Sequence, residues 1–471
     1  MASERALGLY ERYSLARSQA GVAPVVAFTA TLPADKIDAQ ALSAAVAQLL
    51  ARYPLLSCTV ADIATVKPRY VRAEAIKPDD IFVEDAEVGG TVTEALLEAL
   101  QAGASIDVVK GPLWRVKLAG ADVQGRRRVS LTAHHVLSDG SSTRNLFAEL
   151  LALSRQTSES QSAPTAFPPS LEESVDVRPS SWTMVKVVYS ELLAPKLPAF
   201  LRPATPTFFP NPPLAPPFEQ QTALKHLSLP ASLVDGLKSI GKSHNIATLH
   251  PVLYISALAA LSSTLAGESS TAPHLVGDSP ISLRSASAGH PTCTGNYVSS
   301  ISTPHPALSP SSERFWPACA EYAKRLADPA ARKAALEGMG MLAYVPDGLD
   351  PSRAGKTKFD AWLEDGLRKA EPWSASFEVS NLGVLPATGW EGDEGLEDVA
   401  WAQAGMCIGP ALTINPVAVR GGNLAVTLTY RQNAIDEETV SAFWTAFERV
   451  LRRAAEGQLA QDATFAQASE E

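Results

Sequence analysis

The 471-residue sequence predicts an α/β fold in two lobes, each a mixed sheet flanked by helices. Short runs rich in β-branched and aromatic residues alternate with longer segments of helical periodicity along the whole chain. The stretch from Gln156 to Thr222 holds 13 of the 35 prolines, Pro212-Pro213 and Pro216-Pro217 among them, and separates two similar halves. The composition, 46% hydrophobic and 19% charged, suits a packed globular protein and excludes a disordered, collagen-like or coiled-coil chain. The expected division is therefore a first lobe over 1–155, a proline-rich crossover over 156–222 and a second lobe over 223–471.

Val25 to Thr29 reads as the first strand. Leu42, Val46, Leu49, Leu50 and Tyr53 recur at helical spacing until Pro54 ends the helix, and a second helix runs from Val92 to Ala102. Pro112 to Leu118 and Arg128 to His134 are strands, the first with proline at its tolerated first position. The turn Leu137-Ser138-Asp139-Gly140 then feeds a helix bearing Leu146, Phe147, Leu150 and Leu151, with Ser141 and Ser142 as its expected caps. The crossover is expected to be ordered only in part, through Trp182 to Leu193. Beyond it come strands at Ala223 to Leu229, Pro280 to Arg284, Phe377 to Asn381 and Leu424 to Tyr430. The segment Leu249 to Leu261 is apolar all round and so a buried helix, and Glu437 to Ala455 is the closing helix.

Forty Lys and Arg against fifty Asp and Glu give a net charge of −10, which argues against general nucleic-acid or anionic-membrane binding. Cys58, Cys293, Cys319 and Cys407 form no CxxC pair and read as reduced thiols of an intracellular protein. The N-terminus lacks the basic-then-apolar plan of a signal peptide, and Pro251 to Leu261 falls well short of the roughly 20 apolar residues that span a bilayer. The expectation is a cytoplasmic, monomeric protein.

The chemistry concentrates in Arg128 to Gly140. Successive side chains on a strand point to opposite faces, so the adjacent His134 and His135 cannot do the same job. One faces a cleft while the other packs inside its lobe. An imidazole at a strand end is a good general base, since its unperturbed pKa is about 6.5. Gly140 permits either a close backbone approach or a positive φ. No Gly-x-Ser-x-Gly elbow exists for serine hydrolysis, and the spacing matches neither His-Glu-x-x-His nor a Cys/His zinc pattern, so no metal site is expected. On the residues alone, a structural His–Asp pair remains open beside catalysis.

His134-His135-Val136-Leu137-Ser138-Asp139-Gly140 is similar to the His-His-x-x-x-Asp-Gly signature of the chloramphenicol-acetyltransferase-like superfamily, which includes condensation domains and plant BAHD acyltransferases. The chain most resembles the superfamily's fungal alcohol acetyltransferase branch. Glu11 to Arg17, Tyr53-Pro54-Leu55-Leu56, Gly111 to Val116, Pro280 to Arg284 and Ser380-Asn381-Leu382-Gly383 match that branch in order, from about Leu7 to Ala455. The plant Asp-Phe-Gly-Trp-Gly motif is absent, as is a carrier-protein serine motif, which makes a free thioester, most simply acetyl-CoA, the expected donor.

The resemblance implies two chloramphenicol-acetyltransferase-like lobes with a tunnel between them, entered from opposite faces. It implies that His135 takes the proton of an acceptor hydroxyl and returns it to the departing thiolate. Asp139 belongs to the same catalytic motif, but in a structural role, paired with an arginine for which Arg284 is the candidate; a solvent-exposed strand end is the other reading of Arg284. His134 and Gly140 are expected to be structural at the site. Ser380 and Asn381 either supply an oxyanion donor, hold the pantetheine arm, or form a plain turn. Trp373, Trp390 and Trp401 line a pocket or fill the core, and Arg126-Arg127-Arg128 either attract CoA phosphates or end a strand at a hairpin near Gly125. The expected activity is a CoA-dependent O-acyltransferase acting on a small alcohol or a metabolite hydroxyl, with acyl-CoA as co-substrate and no bound cofactor. Amide formation and a non-catalytic condensation-like module are the alternatives.

Overall fold

Fourteen strands are found among the described residues of this computed structural model, which cover all but 1–3, 74, 156–165, 190–192, 194–206, 268–271, 393–394 and 471. The first half contributes β1 (Glu4–Ala6), β2 (Val25–Pro33), β3 (Cys58–Ala61), β4 (Arg69–Arg72), β5 (Phe82–Val88), β6 (Trp114–Gly120) and β7 (Arg126–His134). The second contributes β8 (Thr222–Leu229), β9 (Leu275–Ser282), β10 (Val298–His305), β11 (Trp373–Val379), β12 (Glu397–Gln403), β13 (Gly409–Ala418) and β14 (Leu424–Arg431). They form a five-stranded mixed sheet in the order β12-β2-β7-β6-β5, a six-stranded mixed sheet in the order β10-β9-β11-β13-β14-β8, and a small sheet of β1, β4 and β3.

The first sheet carries helices on both faces of β2, whose side chains are buried on both sides from Val25 to Leu32. Helices α1 (Leu9–Gln19), α2 (Ala39–Arg52), α3 (Val92–Ala104) and α4 (Gly140–Ser154) belong to this half. On one face Phe28 of β2 stacks on Phe147 of α4, ring centroids 5.5 Å apart. On the other, α3 comes so close that a Cβ on Gly103 would lie 2.3 Å from Val25 Cγ1.

The second sheet has two unlike faces. Phe377, Val379, Leu412 and Ile414 are buried on one, in the same cluster as the apolar helix His250–Ala266 and the closing helix Glu437–Ala455. Each such side chain stabilises the lobe by about 1.5–3 kcal/mol on burial. The alternate residues, Asp278, Glu378, Thr413 and Asn415, are polar and point the other way.

The segments 1–155 and 223–471 each supply a large sheet, with one exchange. Strand β12 leaves the second half and pairs antiparallel with β2, placing Trp401 opposite Phe28. Its rings stack at 5.9 Å, while the Trp401 indole N–H donates to Pro416 O at 3.0 Å in the other sheet. The boundary in space therefore differs from the boundary in sequence. In the crossover, a helix forms at Ser181–Val188; of the order expected through Trp182 to Leu193, residues 190–192 lie outside the described residues. Among the described residues, no helix is long and apolar enough to cross a membrane.

Candidate active site

Strand β7 ends at His134, and the chain turns there, so the two histidines part. His134 is fully buried: Nδ1 accepts the Val136 N–H at 3.1 Å and Nε2 lies 3.2 Å from Ser18 Oγ. Burial, with the neighbouring His135 and Arg17 adding to it, pushes His134 down to about 3, so it stays neutral. His135 sits just beyond the strand, 7% exposed, against an open cavity. Its Nδ1 lies 2.9 Å from Asn296 Oδ1. The amide of Asn296 cannot be turned over, because its Nδ2 donates to His135 O at 2.8 Å and to Val136 O at 2.9 Å. An oxygen facing Nδ1 requires Nδ1 to carry the proton, which leaves Nε2 as the basic nitrogen. Burial and Arg17 hold the His135 pKa below the usual 6.5, partly opposed by Asp139 and Asn296.

Asp139 is the N-cap of α4, a correction to the serines expected there. Its Oδ1 accepts the Ser142 N–H at 2.7 Å, and Ser142 lies within the helix. Oδ2 accepts the Tyr297 N–H at 2.8 Å and meets Arg284 Nη2 at 3.1 Å. Arg284 lies two residues past the end of β9 rather than on the strand. Its side chain is 12% exposed, its Nε donates to Pro291 O at 2.7 Å, and its guanidinium lies over the Tyr297 ring. Gly140 has no positive φ; what it permits is close approach, since a Cβ there would lie 3.1 Å from Leu382 Cδ2.

Three neighbouring cavities share lining residues. The central one, about 550 Å³, is lined by His135, Asp139, Gly140, Ser380, Asn381 and Trp401. It shares Asn381 and Gly383 with a second of about 440 Å³, whose wall includes Lys238, Lys242 and Arg420. On its other side it shares Tyr10, Pro280, Val298 and Glu378 with a third of about 570 Å³. Ser380 and Asn381 lie beyond the end of β11, where Asn381 Oδ1 accepts the Gly383 N–H at 2.9 Å in a turn. Trp373 and Trp390 are core residues whose indoles bond to Met406 O and Leu151 O; of the three tryptophans only Trp401 reaches the central cavity. Arg126, Arg127 and Arg128 are paired with Glu397, Glu84 and Asp398 around the Gly125 hairpin, away from these cavities.

Sequence reasoning missed Asn296, Tyr10 and Glu378. Asn296 is 161 residues from His135, and the segment around it runs beside the motif: Gly295 N–H donates to Leu137 O, and Gly295 O accepts from Asp139 N–H. A Gly-Asn pair between strands reads only as a turn. Tyr10 lies within α1 with its ring 5.4 Å from that of His135, one residue before the segment that had carried the family likeness.

A family model described as alcohol acetyltransferase matches residues 6–451. No curated sequence relative matches the chain. Among solved structures, the condensation domain of the monacolin K polyketide synthase MokA is similar over 98% of this chain and 99% of that one, with TM-score 0.65 and 13% identity. The epimerization domain from the third module of tyrocidine synthetase B covers 97% and 98%, with TM-score 0.59 and 14% identity. Against the nonribosomal peptide synthetase FmoA3 the chain matches over 98% of its own length but spans 46% of that longer chain, with TM-score 0.63 and 21% identity. At such identities these likenesses concern the two-lobed condensation-domain fold.

Proposed function

The chain belongs to the alcohol acetyltransferase family, and on that premise we propose that it transfers an acyl group, most simply acetyl, from acyl-CoA to an alcohol hydroxyl. The observation that carries this reading is the tautomer of His135: Asn296 holds Nδ1 protonated and leaves Nε2 basic beside the central cavity. Nε2 takes the proton as the hydroxyl oxygen attacks the thioester carbonyl. Collapse of the tetrahedral oxyanion breaks the C–S bond, and the imidazolium returns the proton to the thiolate of CoA. His134, neutral and occupied at both nitrogens, serves the fold of the loop. Asp139 and Arg284 act as positioning residues by fixing the turn that carries His135.

The cavity with Lys238, Lys242 and Arg420 supports a polyphosphate donor, because these exposed cations sit on a protein whose net charge is −10. The donor would reach His135 past Asn381 and Gly383. The test is release of CoA from acetyl-CoA with a panel of alcohols. His135→Ala is expected to lower kcat by about 100-fold or more with an unchanged unfolding temperature. Wild-type turnover by the folded variant would remove the assignment.

A further inference from the structure

The three cavities differ in charge. One presents Lys238, Lys242 and Arg420, whereas the His135 cavity and the third share a carboxyl group in their wall. Glu378 of β11 lines both the central and the third cavity and is 7% exposed. Its Oε1 accepts from Gln403 Nε2 at 2.9 Å. Asp278 stands directly beside it in register on β9, and Thr413 on β13, so all three project from the same face of the sheet. Asp278 is 9% exposed and its Oδ1 has no hydrogen-bond partner; Thr413 is fully buried and its Oγ1 has none either.

Among the described residues neither carboxyl group is in an ion pair. Arg17 acts on Glu378 from α1, but its Nη2 faces Met406 Sδ at 3.2 Å and it lines neither cavity. Arg325, on the rim of the third cavity, donates to Thr303 Oγ1 and Ser302 O, both at 2.8 Å. A buried carboxyl group outside any ion pair is costly, and Glu378, on the wall of a ligand cavity, is where a ligand can supply a close countercharge.

We propose that the acceptor is a cationic amino alcohol whose protonated amine is held by Glu378, with Asp278 behind it, while its hydroxyl faces His135. The proposal rests on the acyl-transfer reading for the hydroxyl end, and on geometry alone for the amine end. Glu378 makes the direct contact, and Asp278 supplies the second negative charge. In the empty site burial, with Asp278 beside it, pushes Glu378 up to about 8, and burial pushes Asp278 up to about 6. Gln403 and Arg17 oppose that rise in Glu378, and a bound ammonium would favour loss of a proton there.

Dimethylamino alcohols make the test clean, because their nitrogen is protonated yet forms no stable amide. The series runs from 2-(dimethylamino)ethanol to 6-(dimethylamino)hexan-1-ol. Each has an uncharged isostere with CH in place of NH⁺; for the first it is 3-methylbutan-1-ol. Calorimetry on the full-length His135→Ala protein measures binding without turnover. At least one amino alcohol is expected to bind about tenfold or more tighter than its isostere. Near pH 7, buffers of differing ionisation enthalpy should register a net release of protons on binding. Glu378→Gln should weaken the amino alcohol by about 10- to 100-fold and leave its isostere unchanged, with Asp278→Asn causing a smaller loss. In the wild type the preference should reappear in kcat/KM, with KM for acetyl-CoA within about twofold in Glu378→Gln. Equal binding of amine and isostere by the His135→Ala protein would overturn the proposal without need of a carboxyl variant. Tight amine binding unaffected by a folded Glu378→Gln would overturn it as well. Amine-selective binding with no acyl transfer to any alcohol would uphold the amine site and reject the acyl-transfer reading.

Discussion

His134 and His135 are neighbours in the chain, yet one is locked by bonds to both ring nitrogens and the other is held by one. Strand alternation was enough to foresee that they part, but the choice between them rested on family resemblance. What sets the tautomer, Asn296, comes from the other half of the chain and carries no local signal. Asn296 favours the protonated ring, whereas burial opposes it. The proton-accepting form of His135 is the neutral one, so with an uncharged alcohol, whose binding does not draw on Glu378, kcat/KM should rise with pH along an acid limb whose midpoint lies below 6.5. Removing the bond in Asn296→Ala should move that limb to lower pH and reduce kcat by about tenfold or more, since the reactive tautomer is no longer enforced. Asn296→Asp adds a negative charge beside Nδ1 and should move the limb to higher pH. Opposite shifts in the two variants identify a positioning residue; a pH profile unchanged in both would show that Asn296 only holds the loop together.

The turn between β7 and α4 is an element built from both halves of the molecule. Asp139 caps α4, bonds the Tyr297 N–H and meets Arg284, so one carboxylate ties the helix start to two loops of the second lobe. The helix and the turn were legible because Leu146, Phe147, Leu150 and Leu151 follow the turn at helical spacing. The cap was not: Asp139, Ser141 and Ser142 compete for the position, and only the tertiary bonds of Asp139 decide it. Strand β12 was missed for a similar reason, since Glu397 to Gln403 reads weakly and is fixed by pairing with β2 from nearly 370 residues earlier. Asp139→Asn and Arg284→Met should each destabilise the protein, and removing one partner of a buried pair costs about 3–5 kcal/mol. Because both act through the same contact, the double variant should lose less than the sum, with a coupling of about 0.5–3 kcal/mol. Thermal unfolding of the four proteins measures it, and strict additivity would show two independent roles.

At the scale of the whole molecule, the His135 cavity shares lining residues with two others, one bearing Lys238, Lys242 and Arg420 and the other sharing the wall at Glu378. Two-lobed architecture was readable from the proline-dense divide and from strands and helices alternating on both sides of it. The polar face of the second sheet was not, because Asp278, Glu378, Thr413 and Asn415 come from three strands that become neighbours only in the fold. On the proposed function, a donor and an acceptor held together beside one imidazole make the attack effectively unimolecular. The cysteines offer no other route: Cys58, Cys293, Cys319 and Cys407 are all buried, and burial raises every one of their thiol pKa values. The proposed reading is direct transfer within a ternary complex, with no acyl group resting on a side chain. Reciprocal plots of initial rate against acetyl-CoA at several alcohol concentrations should intersect, and the intact mass of the protein should be unchanged by acetyl-CoA alone. Parallel lines, together with an acetylated protein that hands its acetyl group to a later-added alcohol, would establish a covalent route and demote His135 from direct base to activator of a nucleophile.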